Sequence, residues 1–118
     1  MGCCQKDSNL MTFDDYQIKA ASTAIYPKEF GLIYTAMGLA VEVGEVLGKL
    51  AKVFRDANGV IDDEVKQKII FELGDTQWFL AQLCTELGVS LNGVAETNLF
   101  KLALRKKNNT LSGSGDEP

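Results

Sequence analysis

Two short acidic segments carry the residues of this sequence that are best suited to chemistry. Glu42 and Glu45 stand three positions apart, and so do Glu72 and Asp75. Residues at this spacing lie side by side on one face of a helix, so each segment presents a pair of carboxylates. Four carboxylates brought together repel one another unless a cation lies among them. Carboxylate oxygens are the ligands that Mg²⁺ and Mn²⁺ prefer.

Hydrophobic periodicity predicts that helices position these acids. Thr12 and Ser90 are suitable helix N-caps, Gly88 is a suitable helix stop, and Asn58-Gly59 is a turn signal. No strand pattern competes with the helical one, so we expect an all-α fold with a four-helix, bundle-like subunit. The expected helices cover residues 12 to 26, 31 to 56, 62 or 63 to 87, and 90 to 107.

The length of 118 residues predicts one domain, which we place at residues 12–108. Residues 1–11 are expected to be a disordered N-terminus, and residues 109–118 a flexible Gly/Ser tail. Helical hairpins of this size leave apolar faces uncovered, so an oligomer is expected. The net charge of -4 argues against a nucleic-acid polymer as partner.

The composition excludes several classes of site. The sequence contains no histidine, which excludes a histidine-based catalytic triad and zinc bound by histidine. The odd number of cysteines, three, fits a reducing compartment, so we expect a cytoplasmic protein. No signal peptide is visible and no apolar run reaches the length of a membrane span, so no membrane partner is expected.

The third predicted helix favours a functional role for its acids. On its helical wheel, Glu72 lies inside the apolar sector and Asp75 at the edge of that sector. A carboxylate withdrawn from water costs several kcal/mol unless a buried ion pair, a raised pKa or a metal compensates it. The second helix alone is typical of a solvated face, with an ordinary ion pair between Glu45 and Lys49. One basic side chain cannot neutralise the charge of four acids, so a divalent cation is the favoured compensation.

The fourth predicted helix offers groups that bind phosphate. Asn98, Lys101 and Arg105 share one face, which neighbouring apolar residues direct toward the bundle. Cationic groups beside an acidic metal site can hold the outer phosphates of a polyphosphate. The alternative interpretation is a basic helix end that complements the helix dipole.

These residues resemble the MazG-like, all-α nucleotide pyrophosphohydrolases. The family's signature is E-x-x-E followed after a spacer by E-x-x-D, and Glu42, Glu45, Glu72 and Asp75 match it. The family's third segment resembles residues 98–105 here. The resemblance implies an α-β phosphate cleavage of nucleoside triphosphates to the monophosphate and pyrophosphate, with Mg²⁺ or, as substitute, Mn²⁺. It also implies a homodimer, or a homotetramer formed as a dimer of dimers.

The same resemblance implies a role for each candidate residue. The four acids would bind the metal, and Glu42 or Glu45 would also orient the attacking water. Asn98, Lys101 and Arg105 would contact phosphate or sugar, and Lys49 and Lys52 are weaker candidates for that contact. Two other functions remain open: a hydrolase of dUTP and dUDP or of modified nucleotides, and a non-catalytic helical module that binds a nucleotide or a protein partner.

Overall fold

A computed structural model describes residues 10–113, and its regular structure within that range is helical, without strands. This confirms the all-α class and the four helices. A short 3-10 turn, Lys28–Phe30, precedes the second helix. The helices are α1 (Phe13–Ala21), α2 (Gly31–Asp56), α3 (Asp63–Glu86) and α4 (Leu91–Lys107).

The predicted helix ends are confirmed in three of the four helices, and α1 is shorter than expected. Thr12 caps α1 in a reciprocal pair of hydrogen bonds with Asp15, both 3.0 Å long. Asp62 caps α3, and Ser90 caps α4. Helix α1 ends at Ala21, not just before Pro27, because the backbone N–H groups that follow donate to carbonyls only three residues back.

The turn between α2 and α3 forms where the sequence predicts it. Asn58 and Gly59 both have positive φ, 54° and 78°, a conformation that these two residue types tolerate better than others. Most of the predicted N-terminal segment 1–11 and the tail residues 114–118 lie outside the described residues. The described start of the tail is hydrogen-bonded, since the N–H of Thr110 donates to the carbonyl of Arg105 at 2.8 Å.

Helices α2 and α3 form an antiparallel hairpin, α1 packs against α3, and α4 packs against α1. The buried core is small and consists of Ala81, Cys84 and Leu91, with Tyr16 packed against it. Gln17 joins α1 to the connection between α3 and α4. Its amide donates to the carbonyl of Val89 at 3.0 Å and accepts from the N–H of Leu91 at 2.8 Å.

Helix α2 leaves a long apolar face uncovered. Apolar residues recur at three- and four-residue spacing on α2, at Leu39, Val43, Val46, Leu50 and Phe54, and this pattern predicts one buried face. Val43 and Phe54 are nevertheless 43% and 72% exposed, whereas Thr35 and Val53 are buried. The helix is apolar over much of its circumference, so one neighbouring helix cannot cover all of it. Seven exposed residues in alternating steps of four and three form what we call the outer seam: Ile33, Met37, Ala40, Gly44, Leu47, Ala51 and Phe54.

The apolar character of α2 corrects the expectation that no apolar run reaches the length of a membrane span. The segment Lys28–Asp56 is long and apolar enough to cross a membrane, by length and composition alone, because its most apolar stretch of 18 residues has a mean hydropathy of 1.5. The same length and composition occur in helices that pack against other protein helices. Glu42 and Glu45 lie in the middle of this segment. A charged side chain at the centre of a bilayer costs about 3 kcal/mol.

Candidate metal centre

Three of the four acids in the two acidic segments come together between α2 and α3. One carboxylate oxygen from each of Glu42, Glu72 and Asp75 lies within 4.8 Å of the other two. Glu42 and Glu72 are half-buried, and Asp75 is exposed. We call these three residues the acidic cluster. Glu45 is exposed and lies outside it.

The helical geometry explains why Glu42 joins the cluster and Glu45 does not. Thr35 and Val53 are buried, and they stand seven residues before and eleven residues after Glu42, on the same face of α2. Glu42 therefore points toward α3. Glu45 is turned away from that face by about 60° around the helix axis, so it lies at the rim of the cluster.

Two compensations for the clustered charge are visible in the structure. The Nζ atom of Lys49 lies 2.8 Å from Oε1 of Glu72, whose side chain is 18% exposed. This hydrogen bond raises the pKa of Lys49. Burial, together with the negative charges of Asp75, Glu72 and Glu45, raises the pKa of Glu42. The sequence suggested a pair between Lys49 and Glu45, but the ion pair crosses to the neighbouring helix.

The cluster still carries more negative charge than Lys49 can neutralise. Within residues 10–113, no ion pair joins Glu42 or Asp75 to a basic side chain. Tyr16 lies close enough that the charge of Asp75 adds to burial in raising the pKa of its hydroxyl. In an octahedral Mg²⁺ site with bonds of 2.0–2.1 Å, neighbouring ligand oxygens are about 2.9 Å apart. The oxygens of the three acids lie within 4.8 Å of one another, so the side chains would move closer together to bind one Mg²⁺.

A cavity of about 490 Å³ adjoins the cluster on the side where α2 ends and α3 begins. Three lysines line it, Lys49 and Lys52 from α2 and Lys68 from α3. Sequence reasoning proposed the first two and missed Lys68. The helical wheel contains the missing signal, because Lys68 stands four residues before Glu72 on the same face of α3.

The three candidates on α4 share one helical face, as predicted, but they are not hydrogen-bonded to the acidic cluster. The hydrogen bonds of α4 to α1 lie at its first turn, through Leu91 and Asn92. Among the described residues, no hydrogen bond or ion pair joins Asn98 or Lys101 to an acid of the cluster. Contact between this face and phosphate at the cluster stays a prediction.

Four aromatic rings lie beyond Asp75 along the hairpin. Trp78 packs edge-on against Phe79 with ring centres 5.0 Å apart, and Tyr26 and Tyr34 pack at 5.1 Å. The indole N–H of Trp78 donates to Thr23 Oγ1 at 2.8 Å, so this tryptophan has a structural role. A Cβ atom at Gly38 would overlap the ring of Phe79, so a glycine is needed at this contact.

The last turn of α3 holds further polar residues that sequence reasoning missed. The hydroxyl of Tyr26 donates to Oε1 of Glu86 at 2.8 Å. Burial and this bond raise the pKa of Tyr26 to about 12. The carboxylate of Glu86 rests against Gly31 at the start of α2, where the helix dipole favours a negative charge. Gln82 is 1% exposed, and its Nε2 has no hydrogen-bond partner among residues 10–113.

The fold and the acidic cluster define an all-α protein with a candidate centre for a divalent cation. The chain is 45% identical over 112 residues to the Gene 37 protein of Mycobacterium phage L5, an alignment that covers 90% of this chain and 98% of the relative. The chain therefore belongs to the family of that phage protein. The relative's name states neither an activity nor a ligand.

No family model matches the chain. No solved structure matches it. The MazG-like resemblance stays a prediction that rests on the residues themselves.

Proposed function

We propose that this protein is a MazG-like, Mg²⁺-dependent nucleoside triphosphate pyrophosphohydrolase with Mn²⁺ as a possible substitute. It would cleave the α-β phosphate bond to give the monophosphate and pyrophosphate, and so remove surplus or non-standard nucleotides. One observation carries the proposal: Glu42, Glu72 and Asp75 meet from two helices with more negative charge than Lys49 neutralises. A purely structural hairpin gains nothing from this repulsion.

Each acid has a distinct part in the proposed reaction. Glu42, Glu72 and Asp75 hold the cation, which when bound would neutralise charge on the phosphoryl oxygens. Glu45 at the rim is exposed to water and stands one turn from Glu42, so it orients a water molecule and accepts its proton. The water oxygen bonds to the α-phosphorus, and the bond to the bridging oxygen breaks. Pyrophosphate leaves with that electron pair.

The protein would act as a homo-oligomer whose subunits pack through the outer seam. Alternating steps of four and three are the spacing at which two helices interlock. Met37, Leu47 and Phe54 on this seam are 62%, 60% and 72% exposed, so a single subunit leaves their side chains in water. The face with Asn98, Lys101 and Arg105 would reach the acids of a neighbouring subunit. We place the oligomer in the cytoplasm and not in a membrane, because Glu42 and Glu45 interrupt the apolar segment.

The activity test uses a panel of canonical, deoxyuridine and modified nucleoside triphosphates with Mg²⁺ or Mn²⁺, and measures pyrophosphate release. Glu42→Gln should abolish turnover, whereas Glu29→Gln, at an exposed position outside the cluster, should leave it unchanged. Turnover restricted to dUTP and dUDP or to a modified nucleotide would support a narrower hydrolase. The absence of turnover on every substrate, without Mg²⁺ binding at millimolar concentration, would favour a non-catalytic binding module.

The oligomer test compares two substitutions on α2. Leu47 lies on the outer seam and Val41 does not, and their exposed fractions are nearly equal at 60% and 59%. Leu47→Glu should therefore shift the mass measured by light scattering to that of the monomer, while Val41→Glu should leave it unchanged. A monomeric wild-type protein at micromolar concentration would refute the seam as a subunit interface.

A further inference from the structure

We propose that the cavity lined by Lys49, Lys52 and Lys68 is a binding site for pyrophosphate, or for the two outer phosphates of a polyphosphate. The site would hold the leaving group of the hydrolase reaction, and this biological role rests on the proposed function. Its affinity for inorganic pyrophosphate can be measured without any turnover. Lys68 is the member of this site that the family resemblance does not assign.

The position of the cavity fits the part of a nucleotide that lies beyond the scissile bond. Lys68 stands one helical turn before Glu72 on the same face of α3, about 6 Å along the axis. Lys49 contacts Glu72 directly. A phosphate held at the acidic cluster therefore has its next phosphates within reach of the three ammonium groups. The cavity volume of about 490 Å³ leaves room for two phosphate groups.

The charges around the cavity favour an anion although Asp56 also lines it. The guanidinium of Arg55 holds both carboxylate oxygens of Asp56 at 2.7 Å, so that acid is already neutralised. No ion pair within residues 10–113 occupies Lys52. Lys68 pairs with Glu64 at 2.9 Å, but both side chains are exposed, and such surface pairs exchange readily.

Lys49 connects this cavity to the acidic cluster. Its ammonium group is bound to Glu72, which would become a ligand of the divalent cation. If a divalent cation bound Glu72, it would displace the ammonium group of Lys49, which already lines the cavity. The cavity would then carry more positive charge. The outer phosphates accordingly point toward the start of α3, and the nucleoside points toward the start of α2.

The test measures binding of inorganic pyrophosphate by titration calorimetry in EDTA, with the full-length protein. We expect Lys68→Ala to weaken binding about tenfold, the loss of one charge-assisted hydrogen bond. Lys66→Ala is the matched control, because Lys66 is exposed on the same helix and does not line the cavity. Lys68→Met keeps the apolar stem, so it should weaken binding to the same extent if the charge is responsible.

Three results would overturn the inference. The first is equal binding of pyrophosphate by the Lys68→Ala and Lys66→Ala variants. The second is no binding by the wild type at millimolar concentration. The third is competition by sulfate at the same concentration as pyrophosphate, which would indicate a general effect of anions. Failure of the hydrolase proposal is a separate result, since it appears as absent nucleotide turnover while pyrophosphate binding in EDTA persists.

Discussion

Replacing Glu42 with glutamine removes one charge from the acidic cluster and keeps the shape of the side chain. The carboxylate oxygens of the three acids lie within 4.8 Å of one another, and two unit charges at that distance in water-like surroundings repel by about 0.9 kcal/mol. Lys49 offsets the charge of Glu72, so only the repulsion from Asp75 is counted. Glu42→Gln should therefore raise the free energy of unfolding by about 1 kcal/mol in EDTA, or Tm by about 4 °C.

Scanning calorimetry with and without Mg²⁺ checks this prediction. The wild-type protein should gain stability from Mg²⁺, by about 1.4 kcal/mol when the free cation is tenfold above its Kd. Glu42→Gln should lose most of that gain, and Glu29→Gln should behave like the wild type in both conditions. A Glu42→Gln protein that melts below the wild type in EDTA, or that keeps the full response to Mg²⁺, would refute the reasoning.

The pH dependence of the same experiment has a defined sign. The pKa of Glu42 is raised above its ordinary value of 4.5, so the folded state favours the neutral carboxyl. The contribution of Glu42 to stability is fully present below that value, and it is lost as pH rises through the raised pKa. In EDTA, the difference in free energy of unfolding between Glu42→Gln and the wild type should thus grow in favour of the variant as pH increases from 4.5. Mg²⁺ needs the ionised form, so its affinity for the wild type should grow over the same interval.

Two further substitutions test the packing of α2 and α3 by thermal unfolding. Gln82→Met should raise the free energy of unfolding by about 1–2 kcal/mol because it removes a buried amide without a partner, while Gln77→Met on the exposed side of α3 should have little effect. Gly38→Ala should destabilise by about 1–3 kcal/mol because its methyl group overlaps Phe79. Gly48→Ala meets open space and should stabilise by about 0.5–1 kcal/mol. Equal melting temperatures for Gln82→Met and Gln77→Met, or for Gly38→Ala and Gly48→Ala, would contradict the packing of α2 against α3.

The helices could be predicted because their ends depend on local chemistry. Thr12, Asp62 and Ser90 each accept a hydrogen bond from a backbone N–H of the first turn, which needs only residues close in sequence. The end of α1 could not be predicted in this way. The periodicity that extended α1 to Ile25 reflects apolar spacing alone, and the chain leaves the helix at Ser22.

The arrangement of the acids was predicted only in part. Helical spacing predicted that four acids meet between two antiparallel helices, and Glu42, Glu72 and Asp75 come together in this way. Glu45 lies at the rim, because the side of α2 that faces α3 depends on tertiary packing. The partner of Lys49 depends on how α2 is rotated against α3, and that rotation follows from which apolar face α3 covers. The spacing of four residues on α2 predicted a pair between Lys49 and Glu45, whereas Lys49 pairs with Glu72 on α3.

The α2–α3 hairpin has a consequence for the order of folding. The acidic cluster and the three lysines of the cavity all belong to this one continuous segment, whose turn spans only the residues between Asp56 and Asp63. Glu42 and Glu72 stand 30 residues apart in sequence, whereas Gln17 of α1 and Thr85, which are hydrogen-bonded, stand 68 apart. The contact within the hairpin closes the shorter loop, so it costs less entropy and is expected to form earlier. The like charges therefore meet in the first stages of refolding, before α1 and α4 dock. We expect Mg²⁺ to speed the refolding of this chain more than it slows its unfolding.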